Sequence, residues 1–275
     1  MSQPDFADKF FQGIENGEII LPTMPDWVAK LQGMLNDINI PASQIIAVVN
    51  RDPAFTAQLI KIANSAAYGG KPKVENITSA VARLGFKMLH NLIISTTMSR
   101  LSVVRKPLLK KRLALFWEHS REVATISYVL AKSQKQLNPD LAMLAGLTHD
   151  IGVLSLLIYV ERETVSFDNE RLESLIRKYS ANLGKRLLQS WEFPKELVNI
   201  PVAHHDLQYK TGSDLANYAD IVTVANLLNR VTAKMVEWKN ISAVERLGLD
   251  PLLYRDFFDR FDRDIADAGS ILFHN

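Results

Sequence analysis

Apolar residues in this chain recur at spacings of three and four, and no segment sustains the period-two alternation of a strand. Phe55, Leu59 and Ile62 fall on one side of a helix, as do Ala80, Val81, Leu84, Met88 and Leu92. Helix-start signals precede these runs. Asp52-Pro53 and Asn138-Pro139 each combine a capping side chain with proline in the first turn, where the missing N–H is not needed. Ser43, Thr78 or Ser79, and Ser213 are read as further helix starts, the last opening a long helix through Ile221, Ala225 and Leu228. Tyr68-Gly69-Gly70 and Gly152 are read as stops, and Pro194 opens a helix that Pro201 kinks. The fold class is therefore all-α.

At 275 residues the chain accommodates one large domain or two small ones. The basic, proline-containing segment 100–112 separates two apolar-periodic halves, which places an N-terminal helical subdomain at 1–104 and a helical bundle with a C-terminal tail at 105–275. With 47% hydrophobic and 23% charged residues the chain buries a real core and is not disordered. A net charge of +2 argues against a protein built on nucleic-acid phosphates, so Arg105 to Arg112 reads as a solvated helix end. The absence of cysteine removes disulfides, thiolate zinc sites, iron–sulfur clusters and cysteine nucleophiles. A metal would have to sit on histidine nitrogen and carboxylate or amide oxygen. The N-terminal segment carries Asp5 and Asp8 and has no apolar signal core. The apolar stretch Ile151 to Val160 is shorter than the roughly 20 residues of a bilayer span. A cytoplasmic protein with no membrane partner is expected.

Six histidines are present, and four share a property. His119 is followed by Val123, Ile126 and Leu130 at the spacing of one helix face. His149-Asp150 ends a run with Ala142, Ala145 and Gly146 upstream, small residues that let another helix come close. His204 follows Leu197 and Ile200 on the inward side, with His205 beside it. One inward histidine is ordinarily a hydrogen-bonded core residue; four beside a carboxylate predict a shared polar centre. His90 and His274 lack such company and are read as structural. Asn64-Ser65 is read as backbone-bonding, and Trp117 and Trp191 as core aromatics.

The order His119, His149-Asp150, His204-His205 resembles the ligand order of the HD phosphohydrolase superfamily. In combination, LPTMP at 21–25, RDPAFTAQLIKIANSAAYG at 51–69, ITSAVARLG at 77–85, FWEHS, LAGLTHDIG, GKRLLQSWEFP and AHHD resemble the HDOD domain, an HD-related output domain of bacterial signalling proteins. The resemblance implies an N-terminal helical subdomain packed on an HD-like bundle. It also implies metal ligands at His119, His149, Asp150, His204 and His205. Active relatives place a final aspartate where this chain has Asn226, which offers an amide oxygen without charge. Asp220, six residues upstream, points 240° away around the helix. Tyr179 stands where binuclear relatives have a histidine, and Val153 where phosphodiesterases have a lysine; the Gly-Tyr-Pro sequence of cyclic-di-GMP-cleaving relatives is missing after His205.

One carboxylate cannot balance two divalent ions. The expectation is accordingly no resident cofactor, or at most one divalent transition metal (Fe, Mn, Ni or Zn), at a degenerate site with no catalytic residue assigned. The resemblance implies a regulatory, signal-transducing module rather than an enzyme, acting on a signalling protein partner or small ligand, with a homodimer open to it. The alternative is a mononuclear metal-dependent phosphohydrolase.

Overall fold

The computed structural model describes residues 24–36, 39–65, 68, 72–101, 103–162, 167–210, 212–228, 237–252 and 255–272. Most of the LPTMP segment, Gly69-Gly70, residues 231–236 and His274 lie outside this set. Among the described residues every regular element is helical. They are α1 (Asp26–Asn36), α2 (Ala42–Val49), α3 (Pro53–Ala63), α4 (Ile77–Leu101), α5 (Pro107–Ala131), α6 (Pro139–Thr148), α7 (Ile151–Arg162), α8 (Asn169–Ser190), α9 (Lys195–Val198), α10 (Ile200–Ala203), α11 (Tyr218–Leu227), α12 (Ser242–Arg246) and α13 (Phe257–Leu272), with a 3₁₀ turn at Trp238–Asn240.

The two Asx-Pro starts form as read. Asp52 accepts from Phe55 N at 3.0 Å and Asn138 from Leu141 N at 3.0 Å. Other boundaries differ. Asn76, not Thr78 or Ser79, caps α4, accepting from Ser79 N at 2.9 Å. Ser43 lies inside α2, which Pro41 precedes without a side-chain cap. Ser213 opens no helix; a capping box of Asn217 and Asp220 starts α11 five residues later. The α3 helix stops at Ala63, before Tyr68, because Asn64 turns its amide to the chain ten residues on. It donates to Val74 O at 2.7 Å and accepts from Val74 N at 2.9 Å. Asn199 divides the segment after Pro194 into two short helices.

Helices α1, α2 and α3 pack on α4, and α4 packs on α6. Gln32 of α1 reaches across to donate to Trp191 O at 3.0 Å. Helix α5 is the spine of the rest, packed by α6, α7, α11 and α13. The apolar run is longer than the ten residues read from sequence: α6 and α7 abut to make a 24-residue stretch, 139–162, long and apolar enough to cross a membrane by length and composition. It is mostly buried inside the bundle, which accounts for its apolarity.

Glycines set the closest helix contacts. A Cβ on Gly146 would stand 2.7 Å from Ala124 Cα, so α5 and α6 touch backbone to backbone. A Cβ on Gly152 would lie 1.9 Å from Ser180 O and 2.6 Å from Gly184 N, and one on Gly184 would lie 2.9 Å from Pro201 Cβ. These contacts draw α7, α8 and α10 together. The C-terminal tail covers the bundle: Arg246 of α12 grips Asp220 of α11, and α13 lies along α5.

Candidate metal centre

Three separate elements deliver histidines to one place. His119 projects from α5, where Val123, Ile126 and Leu130 below it enter the core. His149 is the residue on which α6 ends, and Asp150 fills the junction before α7. His204 ends α10. The glycine contacts between α5 and α6, and along α7, α8 and α10, bring these ends together.

His149 Nε2 lies 3.2 Å from His119 Nε2 and 3.5 Å from Asp150 Oδ2. His204 Nε2 lies 3.6 Å from Asp150 Oδ1, and His119 Nε2 lies 4.0 Å from Asp150 Oδ2. The His205 ring packs on that of His204, centroids 3.8 Å apart, and faces solvent. Ligand atoms at about 2.1 Å from one ion in tetrahedral directions are about 3.4 Å apart. The observed separations bracket that value.

Two backbone carbonyls orient the buried rings. His149 Nδ1 donates to Gly146 O at 2.7 Å, and His204 Nδ1 donates to Ile200 O at 2.8 Å. Each ring then presents an unprotonated Nε2 inward, the arrangement in which histidine binds metal. His204 Nε2 is buried and has no hydrogen-bond partner. A buried lone pair without a donor is costly, and a cation would satisfy it. The residues therefore fit a single ion.

The electrostatics agree. Burial pushes the His149 imidazole below its ordinary value, and burial with the neighbouring His149 pushes His204 down to about 3. Both rings are neutral near pH 7, as ligands must be. Burial alone would raise the Asp150 carboxyl, but the surrounding imidazoles, His149 foremost, hold it below the usual carboxylate range. The charged groups acting on Asp150 are the four imidazoles. The cluster has one open edge: the His149 and His204 side chains are 0% and 1% exposed, those of His119 and Asp150 29% and 22%.

The structure thus brings together His119, His149, Asp150, His204 and His205. Asn226 is half-buried in α11, which packs on α5, α6 and α10, and its amide makes no hydrogen bond among the described residues. Asp220 is elsewhere, 1% exposed and held by Arg246 at 3.1 Å and 2.5 Å. Val153 and Tyr179 are buried in the core. Sequence reasoning did not find the Gly146 and Ile200 carbonyls, because a backbone acceptor has no residue-type signature. It did register the small residues of α6.

The HDOD domain profile matches residues 21–207. Several solved structures share the fold. A candidate metal-dependent phosphohydrolase from Shewanella amazonensis SB2B superposes with a TM-score of 0.73 at 25% identity, over 97% of this chain and 99% of that one. An HDOD domain protein from Geobacter sulfurreducens gives 0.68 at 23% identity, over 98% and 97%. A candidate signal transduction protein from Marinobacter aquaeolei VT8 gives 0.62 at 22%, over 91% of this chain and 60% of that one. In sequence, the chain is 26% identical over 201 residues to an uncharacterized protein of Treponema pallidum, spanning 38% of that protein's length.

Proposed function

This chain belongs to the HDOD domain family, and on that footing we propose that it is a regulatory module built around a mononuclear metal centre that no longer supports ester hydrolysis. His119, His149, Asp150 and His204 would hold the ion, with His205 at the solvent edge and Asn226 the nearest amide on α11. The ion would supply a Lewis acid and a water of lowered pKa. The protein's own residues do the rest. The carbonyls of Gly146 and Ile200 fix the ring orientations, burial keeps His149 and His204 unprotonated, and Asp150 contributes the charge.

One observation carries the regulatory reading. The charges acting on Asp150 come from imidazoles alone, and the residue one turn on, Val153, is 1% exposed and apolar. Phosphoryl transfer needs cationic groups placed on the developing charge, and their removal typically costs orders of magnitude in rate. A centre of one carboxylate and neutral histidines has none beyond the ion itself. The functional output is then binding, of a signalling protein or a small ligand, in the cytoplasm.

The rival reading, a mononuclear phosphohydrolase, draws on the open edge at His119 and Asp150, through which an ester could reach the ion. Steady-state hydrolysis of bis(p-nitrophenyl) phosphate with added manganese separates the two. The regulatory reading predicts a rate no greater than buffer with manganese, the same for Asp150→Ala. Turnover that Asp150→Ala abolishes would establish the enzyme.

A further inference from the structure

Gly85 breaks α4 at φ 79° and ψ 163°, a region essentially reserved for glycine. The second half of the helix therefore leaves in a new direction, and a cavity of about 240 Å³ opens between it and the start of α6. Phe86, Lys87, His90 and Asn91 line it from α4, and Asn138 and Leu141 from the start of α6.

We propose that this cavity binds a planar heterocycle bearing adjacent N–H and C=O groups, a lactam edge, with an anionic substituent directed at Lys87. The argument starts from what each polar side chain has left to offer. Asn91 spends its Nδ2 on Asp140 O at 2.6 Å, so Oδ1 is its remaining acceptor. Asn138 spends its Oδ1 on Leu141 N at 3.0 Å, so Nδ2 is its remaining donor. One acceptor and one donor match one N–H and one C=O. His90 Nε2 is buried in the same wall without a hydrogen-bond partner, a third polar atom awaiting a ligand. Burial lowers the His90 imidazole to about 4, so it is neutral and does not repel a polar ring.

The remaining lining sets size and charge. Phe86 is 40% exposed, an aromatic face free to stack on a flat ring. Enclosed drug-sized sites run from about 300 Å³ upward, so this smaller cavity suits the ring alone, leaving an attached group at the mouth. Lys87 is exposed there. It acts on the Asp140 carboxylate, and a bound anion takes over part of that interaction. The site spans the N-terminal helices and the bundle, and α6 leads from it to His149, so occupancy would clamp α4 on the helix that ends at the metal centre.

Calorimetric titration of the full chain, in chelator and again in the Asp150→Ala background, tests this apart from the metal centre. Uridine 5′-monophosphate and inosine 5′-monophosphate are the probes, with uracil, 1,3-dimethyluracil and inorganic phosphate as controls. At least one nucleotide should bind saturably with one site, and uracil about tenfold more weakly than uridine 5′-monophosphate if that is the one bound. Dimethyluracil, which lacks the N–H groups, and phosphate alone should not bind. Asn138→Asp keeps the helix cap and loses the donor; it should weaken binding at least about tenfold with the fold intact. Lys87→Met should reduce the nucleotide to the affinity of its bare base. The proposal is overturned if neither nucleotide binds, if dimethyluracil equals uracil, if phosphate alone binds as well, or if Asn138→Asp and Lys87→Met leave affinity unchanged.

Discussion

Individual side chains carry the centre through what they are bonded to more than through what they are. His149 and His204 become metal-type ligands because Gly146 O and Ile200 O take their Nδ1 protons. The histidines and the aspartate were legible in the sequence from their place on apolar faces; their tautomers were not, because the acceptors are backbone. His90 was read as structural, and the structure instead leaves its Nε2 unpartnered against a cavity. It also makes a pH prediction. Its folded value, about 4, lies below the ordinary 6.5, so between these limits the unfolded chain binds the proton and the folded chain does not. Stability due to this group is complete above about pH 6.5 and falls as the pH drops toward 4, by up to about 1.4 kcal/mol per pH unit. Guanidinium unfolding across that range should show a shallower loss in His90→Gln than in the parent; equal slopes would remove His90 as the cause.

Among the elements, start signals written in adjacent residues were readable and long-range ones were not. Asp52 and Asn138 cap the helices they precede, because a cap is a local bond. The end of α3 depends on Asn64 bonding Val74, and the split at Asn199 and the start at Asn217 likewise answer to packing outside the local pattern. Glycines illustrate how position decides cost. Gly33 lies on the exposed face of α1 with nothing within 4 Å of a new Cβ, so Gly33→Ala should stabilise by up to about 1 kcal/mol. At Gly85 a Cβ also meets nothing, yet the positive φ makes Gly85→Ala cost about 1–3 kcal/mol. At Gly152 a Cβ would collide with the backbone of α8, so Gly152→Ala should cost more than about 2 kcal/mol and weaken metal binding by displacing α7 from α10. Denaturant midpoints for the three variants test the order; a neutral Gly152→Ala would refute the close-contact account of how the site is assembled.

Across the whole molecule, the helical class and the meeting of distant histidines followed from periodicity, while the role of the C-terminal tail did not. Asp220 was dismissed as a ligand because it points away from Asn226. Its actual partner, Arg246, comes from a segment 26 residues on and donates to both carboxylate oxygens and to Tyr209 O. With Asp220 1% exposed, Arg246→Met leaves a buried charge unpaired and should cost about 3–5 kcal/mol in unfolding experiments. A change under 1 kcal/mol would mean the tail is not part of the folded unit. The metal centre integrates all these levels, since α5, α6 and α10 must each be placed for it to exist. Elemental analysis of the purified native protein is its most direct test. The account predicts one divalent transition-metal ion per chain, lost in Asp150→Ala; two ions per chain, or none, would contradict it.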